Sequence, residues 1–364
     1  MTGDHAVSDR ELSVLDRIES VRSRRPKFRD AQITMAHGAG GKATQTLVEG
    51  MFVPILGGEA LEALGDAGEV EADGIPLAIT TDSYVVKPLR FPGGSIGELA
   101  VNGTVNDLAV SGARPIALSL SLVLEEGLSA DELRAEIEAV AAAAEAAGVR
   151  IVAGDTKVVE RGHADGMYVC TTGLGRRDPR ARLSPSAVRP GDRALLSGPV
   201  GEHGMAIMLA RGEFELDAPI ESDTGSLWPA VDALLDSSGP SLRCMRDATR
   251  GGIASALNEI ARSSGVAMVV HERAVPVPAA VAGAAEILGI DPMYVANEGT
   301  FLAFVAPEAA DGALAALRRV PGCEGAAEIG EVRTEPPGMV LVETSFGGRR
   351  VMDELVGDPL PRIC

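Results

Sequence analysis

The sequence predicts a two-domain protein of the α/β type, with a sheet and helices in each domain. Its 364 residues amount to about two domains of ordinary size. Hydrophobic residues make up 46% of the chain and aromatic residues only 3%, so Ala, Val, Leu and Ile must fill the interior, as in layered α/β folds. Strand-like apolar runs also alternate with helix-like stretches along most of the chain.

The first predicted domain spans residues 31–178 and follows a highly charged N-terminal extension, residues 1–30. The extension lacks a strand-like run, and we expect one helix in it, over 8–22. The elements of the domain are, in order, a strand ending in LAITTD (77–82), a helix over 94–112, a strand over 116–124, a helix over 129–148, and the strands VRIVAGDTK (149–157) and MYVCTTGLG (167–175). Ser129 and Glu132 form a capping-box pattern, and Gly148 is a typical helix stop.

A domain junction is predicted over 177–192, where three prolines and several arginines interrupt the periodicity. The second α/β domain spans 179–345. Its predicted strands are RALLSG, VAMVVH, TFLAFVA and MVLVET, and its predicted helices cover 202–211, 226–236, 251–263 and 308–319. Residues 346–364 are polar and contain Pro359 and Pro361, which predicts a mobile C-terminal tail.

Charge and cysteine usage exclude several classes of function. The formal net charge of −19 would repel nucleic acid and anionic membranes, which are bound chiefly through Lys and Arg. The four cysteines have no CxxC spacing, so neither a zinc site nor a disulfide framework is indicated. No apolar run approaches the length of a membrane span. We expect a cytoplasmic protein without nucleic-acid or membrane partners.

Carboxylates recur where strands give way to loops. Asp82, Asp155 and Asp247 lie at such positions, Asp107 follows Asn106 in a helix of small and apolar residues, and Asp66 lies in LGDAGEV. Hard oxygen ligands that converge on one crevice suit Mg²⁺ bound to phosphates. For any one of these residues, a turn or capping role is the alternative.

Two glycine-containing segments are candidates for phosphate binding. HGAGGK, from His37 through Gly40 and Gly41 to Lys42, offers backbone N–H donors beside two side chains that can carry positive charge, although its spacing is not that of a P-loop. DATRGG places Thr249 and Arg250 just before a helix whose N-terminus can receive an anion. A mobile loop and a plain helix cap are the respective alternatives.

Three further residues have the chemistry of catalysis. Lys157, two residues beyond Asp155, and Glu298, at the start of an apolar strand, are candidates for proton transfer, with a salt bridge as the alternative. Cys364 is the last residue of the sequence. A thiol at the end of a tail suits a carrier nucleophile, and an ordinary solvated chain end is the alternative.

These motifs resemble the HypE family of hydrogenase maturation carbamoyl dehydratases. That family belongs to an ATP-binding superfamily that also holds aminoimidazole ribonucleotide synthetase and selenophosphate synthetase. The similarity covers residue 31 to the end and is carried, in order, by HGAGGK, TTDSYVVKPLRFPGGSIGELAVNGTVNDLAVSGARP, VAGDTKVVERG, MRDATRGGIASALNEIA, VANEGTFL and PRIC.

The resemblance implies a fold and a reaction. It implies an N-terminal sheet domain that forms a homodimer, ATP near the dimer contact, and a C-terminal α/β domain. A partner carbamoyltransferase would load a carbamoyl group on Cys364, and ATP would phosphorylate the carbamoyl oxygen so that loss of phosphate leaves a thiocyanate. The cyano group would pass to an iron centre on a scaffold complex, as a ligand of [NiFe] hydrogenase.

The resemblance also implies site roles. The metal and nucleotide ligands would be Asp66, Asp82, Asp107, Asp155 and Asp247, with Asn106, Thr249 and Arg250 at the nucleotide. Lys157 and Glu298 would transfer protons, and His37 to Lys42 would form a flap over the nucleotide. Alternatives are a selenophosphate synthetase or small-molecule kinase, which has no need of a terminal thiol, and a non-catalytic maturation adaptor, which has no need of the acidic motifs.

Overall fold

The computed structural model describes residues 27–58, 61, 65–212, 218–355 and 362–364. The helices are α1 Lys42–Leu47, α2 Val53–Leu56 (after a π-helical turn, Val48–Phe52), α3 Ile96–Val110, α4 Ala130–Ala146, α5 Glu202–Ala210, α6 Trp228–Ser238, α7 Gly252–Ser264, α8 Ala279–Leu288 and α9 Ala310–Leu317. The strands are β1 Gly68–Ala72, β2 Ile75–Tyr84, β3 Arg90–Phe91, β4 Gly94–Ser95, β5 Ala113–Glu125, β6 Arg150–Val159, β7 Met167–Arg177, β8 Arg193–Leu196, β9 Leu242–Asp247, β10 Ala267–His271, β11 Phe301–Val305, β12 Ala327–Arg333, β13 Met339–Glu343 and β14 Arg349–Met352.

The N-terminal domain is built on a five-stranded sheet. Its strand order is β1-β2-β7-β5-β6, and β5 and β6 run parallel while the other pairs are antiparallel. Helix α3 lies across β2, β7 and β5, and α4 packs against α3. Nearly every side chain of α3 is buried, because the helix consists of small and apolar residues. A Cβ atom at Gly173 of β7 would lie 2.7 Å from the Thr104 methyl group, so the glycine allows this close approach.

The other face of this sheet exposes large apolar side chains. Val70, Ile75, Ile79 and Leu174 are 36–47% exposed, and Ile79 and Leu174 are direct cross-strand neighbours. The edge strand β6 is exposed along nearly its whole length. An exposed apolar sheet face of this kind marks an interaction surface.

The C-terminal domain is built on a seven-stranded mixed sheet. The strand order is β14-β13-β10-β12-β8-β11-β9, with β10 and β13 parallel. The sheet divides the apolar core of this domain into two clusters, one on each face. In the fully buried strand β11, Phe304 packs in the cluster that contains α7, and Phe301 packs in the cluster that contains α6 and α9. A third apolar cluster joins the domains and includes Tyr84 of β2, Ile207 of α5 and Ile363 near the end of the sequence.

The structure confirms the predicted two-domain α/β fold and corrects parts of it. Ser129 caps α4 by accepting a hydrogen bond from the Asp131 N–H (3.3 Å). The sequence analysis missed β1, β9, β12 and β14, whose charged residues obscure the strand period. It also missed the two-residue strands β3 and β4 and the helices α1, α2 and α8. Strand β14 pairs with β13, so the second sheet extends beyond the predicted boundary at 345 into the predicted tail. The helix predicted over 8–22 lies outside the described residues.

Among the described helices, none combines the length and the apolar character needed to cross a membrane.

Candidate active site

Three carboxylates from three separate elements converge between the domains. Asp66 precedes β1, Asp107 lies on α3, and Asp247 is the last residue of β9. One oxygen atom of each lies within 4.8 Å of the others. The structure thus brings together three of the five predicted metal ligands, and the donor set is the hard oxygen set that Mg²⁺ prefers.

Neighbouring groups hold these carboxylates in place. The Thr80 hydroxyl donates to Asp107 Oδ2 (2.8 Å) and lies 2.9 Å from the Asp66 carbonyl oxygen. The Arg246 guanidinium bridges Asp66 (3.0 Å) and Glu259 (2.6 Å). One cation therefore offsets part of the negative charge of the cluster.

Burial and mutual repulsion disfavour the ionised forms of this cluster. Burial is the main reason that the pKa of Asp66 and the pKa of Asp107 lie well above their ordinary values, and neighbouring carboxylates raise both further. Burial also raises the pKa of Asp247 to about 6, against the opposing effect of Arg246. A divalent cation would relieve this repulsion, so the residues fit a metal ion.

A fourth predicted ligand, Asp82, lies beside the cluster on β2. Its carboxylate accepts a hydrogen bond from the Tyr84 hydroxyl (3.2 Å), which also lies 3.3 Å from Thr104 Oγ1. Residues two apart on a strand point to the same side, so the TTDSYVV motif could have identified Tyr84 as a site residue. The sequence analysis missed it, as it missed Arg246, the residue directly before Asp247.

A cavity of about 310 Å³ connects the acidic cluster with the last residue of the sequence. Its lining includes the four carboxylates, Thr249 and Arg250 before α7, Glu298, and Cys364. A second cavity, about 340 Å³ and mostly apolar, adjoins it and shares Arg250 and Cys364. The thiol therefore lies where the two cavities meet.

Cys364 is half-buried, and its surroundings favour the protonated thiol. The Val85 N–H donates to the Cys364 carbonyl oxygen (3.1 Å). Burial raises the pKa of the Cys364 thiol to about 12, with Glu298, Asp82 and Asp247 acting in the same direction and Arg250 against them. A protonated thiol is a weak nucleophile. At this cavity Cys364 therefore acts through its position and not as an attacking group.

Glu298 is buried at the same cavity, in a loop fixed by two other residues. Asp223 accepts hydrogen bonds from the N–H groups of Glu298 (2.9 Å) and Gly299 (3.0 Å). The Asn106 amide donates to the carbonyl oxygens of Glu298 (3.0 Å) and Gly225 (2.9 Å). Burial, followed by repulsion from Asp247, Asp223 and Asp82, raises the pKa of Glu298 well above its ordinary value. The protonated form of this carboxyl group is thus favoured, and its position at the cavity makes it a candidate for proton transfer.

The predicted nucleotide ligand Asn106 has its polar atoms committed within the protein. Besides its two donated bonds, its Oδ1 accepts from the Leu227 N–H (2.8 Å). These contacts favour a role in positioning the Glu298 loop over direct contact with a nucleotide.

The glycine-containing segment lies against Arg250. The Arg250 guanidinium donates to the Gly38 carbonyl oxygen (2.7 Å), and a Cβ atom at Gly40, whose φ is +80°, would lie 2.7 Å from Arg250 Cβ. His37 and Gly41 line the apolar cavity. Lys42 instead forms an ion pair with Asp353 (2.8 Å), outside both cavities. The segment therefore covers one side of the site, as a flap would.

Comparison with known proteins identifies the family. The AIR synthase related protein N-terminal domain model matches residues 64–177, and the corresponding C-terminal domain model matches residues 189–342. The chain is 49% identical to the carbamoyl dehydratase HypE of Rhodobacter capsulatus over 340 residues, which is 93% of this chain and 99% of that protein. The chain belongs to the HypE family of carbamoyl dehydratases.

Solved HypE structures share this fold. A HypE–HypF complex aligns with a TM-score of 0.81 at 40% identity, over 85% of this chain and 99% of the HypE chain. A hydrogenase maturation protein HypE in complex with ATP aligns with a TM-score of 0.77 at 43% identity, over 92% and 100%. The prediction of a carbamoyl dehydratase that acts in hydrogenase maturation is confirmed.

Two of the site residues that the resemblance to HypE predicts lie apart from the others within this chain. Asp155 and Lys157 are on the exposed edge strand β6, where the Lys157 ammonium group pairs with Asp155 (2.7 Å). Hydrogen bonding from Lys157 is the main reason that the pKa of Asp155 is lowered. Neither residue lines the cavity that contains Glu298 and Cys364. The predicted pairing of Lys157 with Glu298 is thus not formed within one chain.

Proposed function

We propose that Cys364 carries the carbamoyl group and that the acidic cavity uses ATP to convert it to a thiocyanate. The observation that carries this proposal is the position of the Cys364 thiol in one cavity with four carboxylates and Glu298. A cysteine with only a packing role would lie in an apolar core and not at a polar cavity between two domains. A small-molecule kinase would need that space for its acceptor.

The chemistry requires that a poor leaving group be made a good one. The carbamoyl oxygen attacks the γ-phosphorus of ATP, ADP leaves, and one N–H proton is lost to give an S-bound imino phosphate. The C–O bond then breaks as the second N–H proton leaves, which yields S–C≡N and inorganic phosphate. The sum is loss of one water from the carbamoyl group and hydrolysis of one ATP.

Asp66, Asp82, Asp107 and Asp247 would hold Mg²⁺. Bound Mg²⁺ would neutralise charge on the transferring phosphoryl group. Thr249, Arg250 and the flap from His37 to Lys42, including Gly40 and Gly41, would hold the phosphates through N–H groups and cationic side chains.

Glu298 would take up one of the two protons released from the carbamoyl nitrogen, and the second would leave with the phosphate. Its buried position at the Cys364 cavity supports this role. Asp155 and Lys157 lie outside the cavity of their own chain, so their predicted ligand and proton-transfer roles require a second copy. The exposed apolar sheet face and the edge strand β6 support a homodimer formed through this sheet.

We further propose that a HypF-type carbamoyltransferase loads Cys364, that an iron-carrying scaffold complex receives the cyano group, and that these steps take place in the cytoplasm. The structural likeness to the HypE chain of a HypE–HypF complex supports the first partner.

Mass spectrometry of the C-terminal peptide tests the proposal. The protein is incubated with the carbamoyltransferase and its carbamoyl donor, first without and then with ATP and Mg²⁺. We expect carbamoylation of Cys364 and then loss of one water that requires ATP, and neither change in Cys364→Ala. Persistent absence of carbamoylation beside an active transferase would contradict the proposal and favour the small-molecule kinase or adaptor.

A further inference from the structure

Residues 362–364, which lead into the cavity, are held by hydrogen bonds to their backbone. The Arg211 guanidinium donates to the Arg362 carbonyl oxygen. His203 Nε2 lies 3.0 Å from the Ile363 carbonyl oxygen, and the Val85 N–H donates to the carbonyl oxygen of Cys364. Successive carbonyl groups are thus bound by groups from both domains, which fixes the path of the chain into the site.

His203 is suited to this contact because it is buried and neutral. Burial lowers the pKa of His203 to about 4, so the imidazole carries no charge at neutral pH. Its Nδ1 atom lies 2.8 Å from the Ser222 hydroxyl, and its ring meets Phe91 edge to face at 5.7 Å. With Nε2–H donating to the carbonyl oxygen, Nδ1 accepts from Ser222, so Ser222 fixes both the tautomer and the ring.

The side chains of residues 362 and 363 are also held. The Arg362 guanidinium forms an ion pair with Asp165 on the segment before β7. Tyr168 donates to the same carboxylate (3.2 Å), and Lys87 pairs with its other oxygen (2.7 Å). The Ile363 side chain is only 5% exposed and lies in the apolar cluster that joins the domains.

We propose that Asp165 and His203 are positioning residues that hold residues 362–364 between the domains and so place the Cys364 thiol at the acidic cavity. Asp165 binds the Arg362 side chain, His203 binds the backbone, and the apolar cluster accepts Ile363. This arrangement favours Arg at position 362 and an apolar residue at position 363. The inference rests on the proposed function, because it assigns these residues a part in presenting the reacting group.

The first test measures docking without any enzymatic reaction. Unloaded protein is treated with iodoacetamide, and the rate of Cys364 alkylation is read from the C-terminal peptide. Docked Cys364 is protected because its thiol is held between the domains, where it is only partly exposed and is protonated. We expect Asp165→Asn to raise the rate by about tenfold, the size expected for loss of one partly buried charge-assisted contact. The matched control Lys87→Gln removes a different partner of Asp165, leaves its contacts with Arg362 and Tyr168 in place, and should stay within about twofold of the unaltered protein.

A double-mutant cycle separates positioning from a general structural effect. In an Arg362→Gln background, Asp165→Asn should cause no further increase in alkylation, because the contact is already lost. The thermal unfolding midpoint should be unchanged in both variants. His203→Gln is the second variant and should also expose Cys364. Equal alkylation rates in Asp165→Asn, Lys87→Gln and the unaltered protein would overturn the inference, as would fully additive effects of Asp165→Asn and Arg362→Gln.

The second readout is the rate of ATP-dependent water loss from carbamoylated protein. Asp165→Asn should slow it by a similar factor while the extent of carbamoyl loading is unchanged. If the unaltered protein neither loads nor dehydrates Cys364, the proposed function fails, and the alkylation test still decides the inference. If the unaltered protein reacts and the variants match it in both readouts, only the inference fails.

Discussion

The Asp107 carboxylate lowers the stability of the folded protein. It is half-buried near Asp82, Asp247 and Asp66, and the loss of solvent and the repulsion between these carboxylates raise its pKa. An acid whose pKa is raised on folding destabilises the folded state once the pH exceeds the unfolded value, because ionisation is then favoured by unfolding. A loss of folding stability at a residue that lines a cavity is typical of catalytic and ligand-binding residues.

Replacement of Asp107 by Asn should therefore separate stability from activity. Without divalent cations at pH 8, we expect Asp107→Asn to unfold at a higher temperature, with a gain of about 1 kcal/mol, because one repelling charge is removed and the amide oxygen can still accept from Thr80. Stabilisation by added Mg²⁺ and the dehydration activity should both be lost.

Thermal melts with EDTA and with Mg²⁺ measure the first two effects. Asp311→Asn, an exposed carboxylate on α9, is the control and should change neither. A Mg²⁺-dependent increase in the melting temperature of Asp107→Asn equal to that of the unaltered protein would contradict a metal role for Asp107.

Sequence reasoning at this scale succeeded where a local pattern carries the information. Asp247 is the last residue of β9 and Asp82 lies two residues before the end of β2, and Tyr84 could have been added from its spacing to Asp82. Asp165 and His203 could not have been found, because their partners Arg362 and Ile363 are more than 150 positions away and only the folded chain brings them together.

Helix α3 is the element on which the site depends most. It carries Asn106 and Asp107, and it approaches β2 at Gly103, where an added Cβ atom would lie 2.3 Å from the Tyr84 hydroxyl oxygen. The glycine thus leaves room for the Tyr84 hydroxyl group that binds Asp82.

We expect Gly103→Ala to destabilise the protein by about 1–3 kcal/mol, although alanine is the better helix former, because the added methyl group overpacks this contact. The dehydration rate should also fall as Tyr84 is displaced from Asp82. Denaturant unfolding and a single-turnover assay measure the two effects.

The matched control is Gly283→Ala in α8, where an added Cβ atom has open space. There the same substitution should stabilise the protein by about 0.5–1 kcal/mol. Equal effects at both positions would show that the close approach of α3 to β2 has no energetic consequence.

Helices and strands whose apolar residues recur with a clear period could be predicted from the sequence. Those whose apolar pattern is interrupted by charged residues could not. Helix α4 was found from its Ser129 cap and its Gly148 stop. Strand β9, LRCMRD, was missed because Arg243 and Arg246 interrupt its apolar pattern, and β14 was missed because it begins with two arginines. Tertiary pairing in the sheet overrides these local sequence preferences.

The whole molecule presents an apolar sheet face that a single chain leaves exposed. Asp155 and Lys157 lie on the edge strand of the same sheet. A homodimer through this sheet would cover the apolar side chains and bring a second set of β6 residues into the assembly.

Ile79→Glu should weaken this dimer by at least about tenfold in Kd, or ~1.4 kcal/mol, because an unpaired carboxylate would be buried at the interface. Size-exclusion chromatography with light scattering across a dilution series measures the change. Ile287→Glu, an exposed position on α8, is the control and should leave the dimer intact. A monomer in the unaltered protein would contradict the dimer.

The two-domain architecture could be predicted from the residue composition and from the alternation of strand-like and helix-like segments. Both patterns reflect the side chains that fill the space between a sheet and the helices packed on it. The docking of Cys364 could not, because the prolines of the tail indicate a free segment while its last residues find partners in both domains. Folding of the two domains against each other is what creates the groove for those residues.

The most direct test of the account traces the carbamoyl oxygen. Cys364 is loaded from a donor labelled with ¹⁸O at the carbonyl group, ATP and Mg²⁺ are added, and the phosphate released is analysed by mass spectrometry. Phosphorylation of the carbamoyl oxygen predicts one ¹⁸O atom in each phosphate formed together with thiocyanate. Unlabelled phosphate beside full conversion of Cys364 to thiocyanate would show that ATP does not activate this oxygen and would contradict the account.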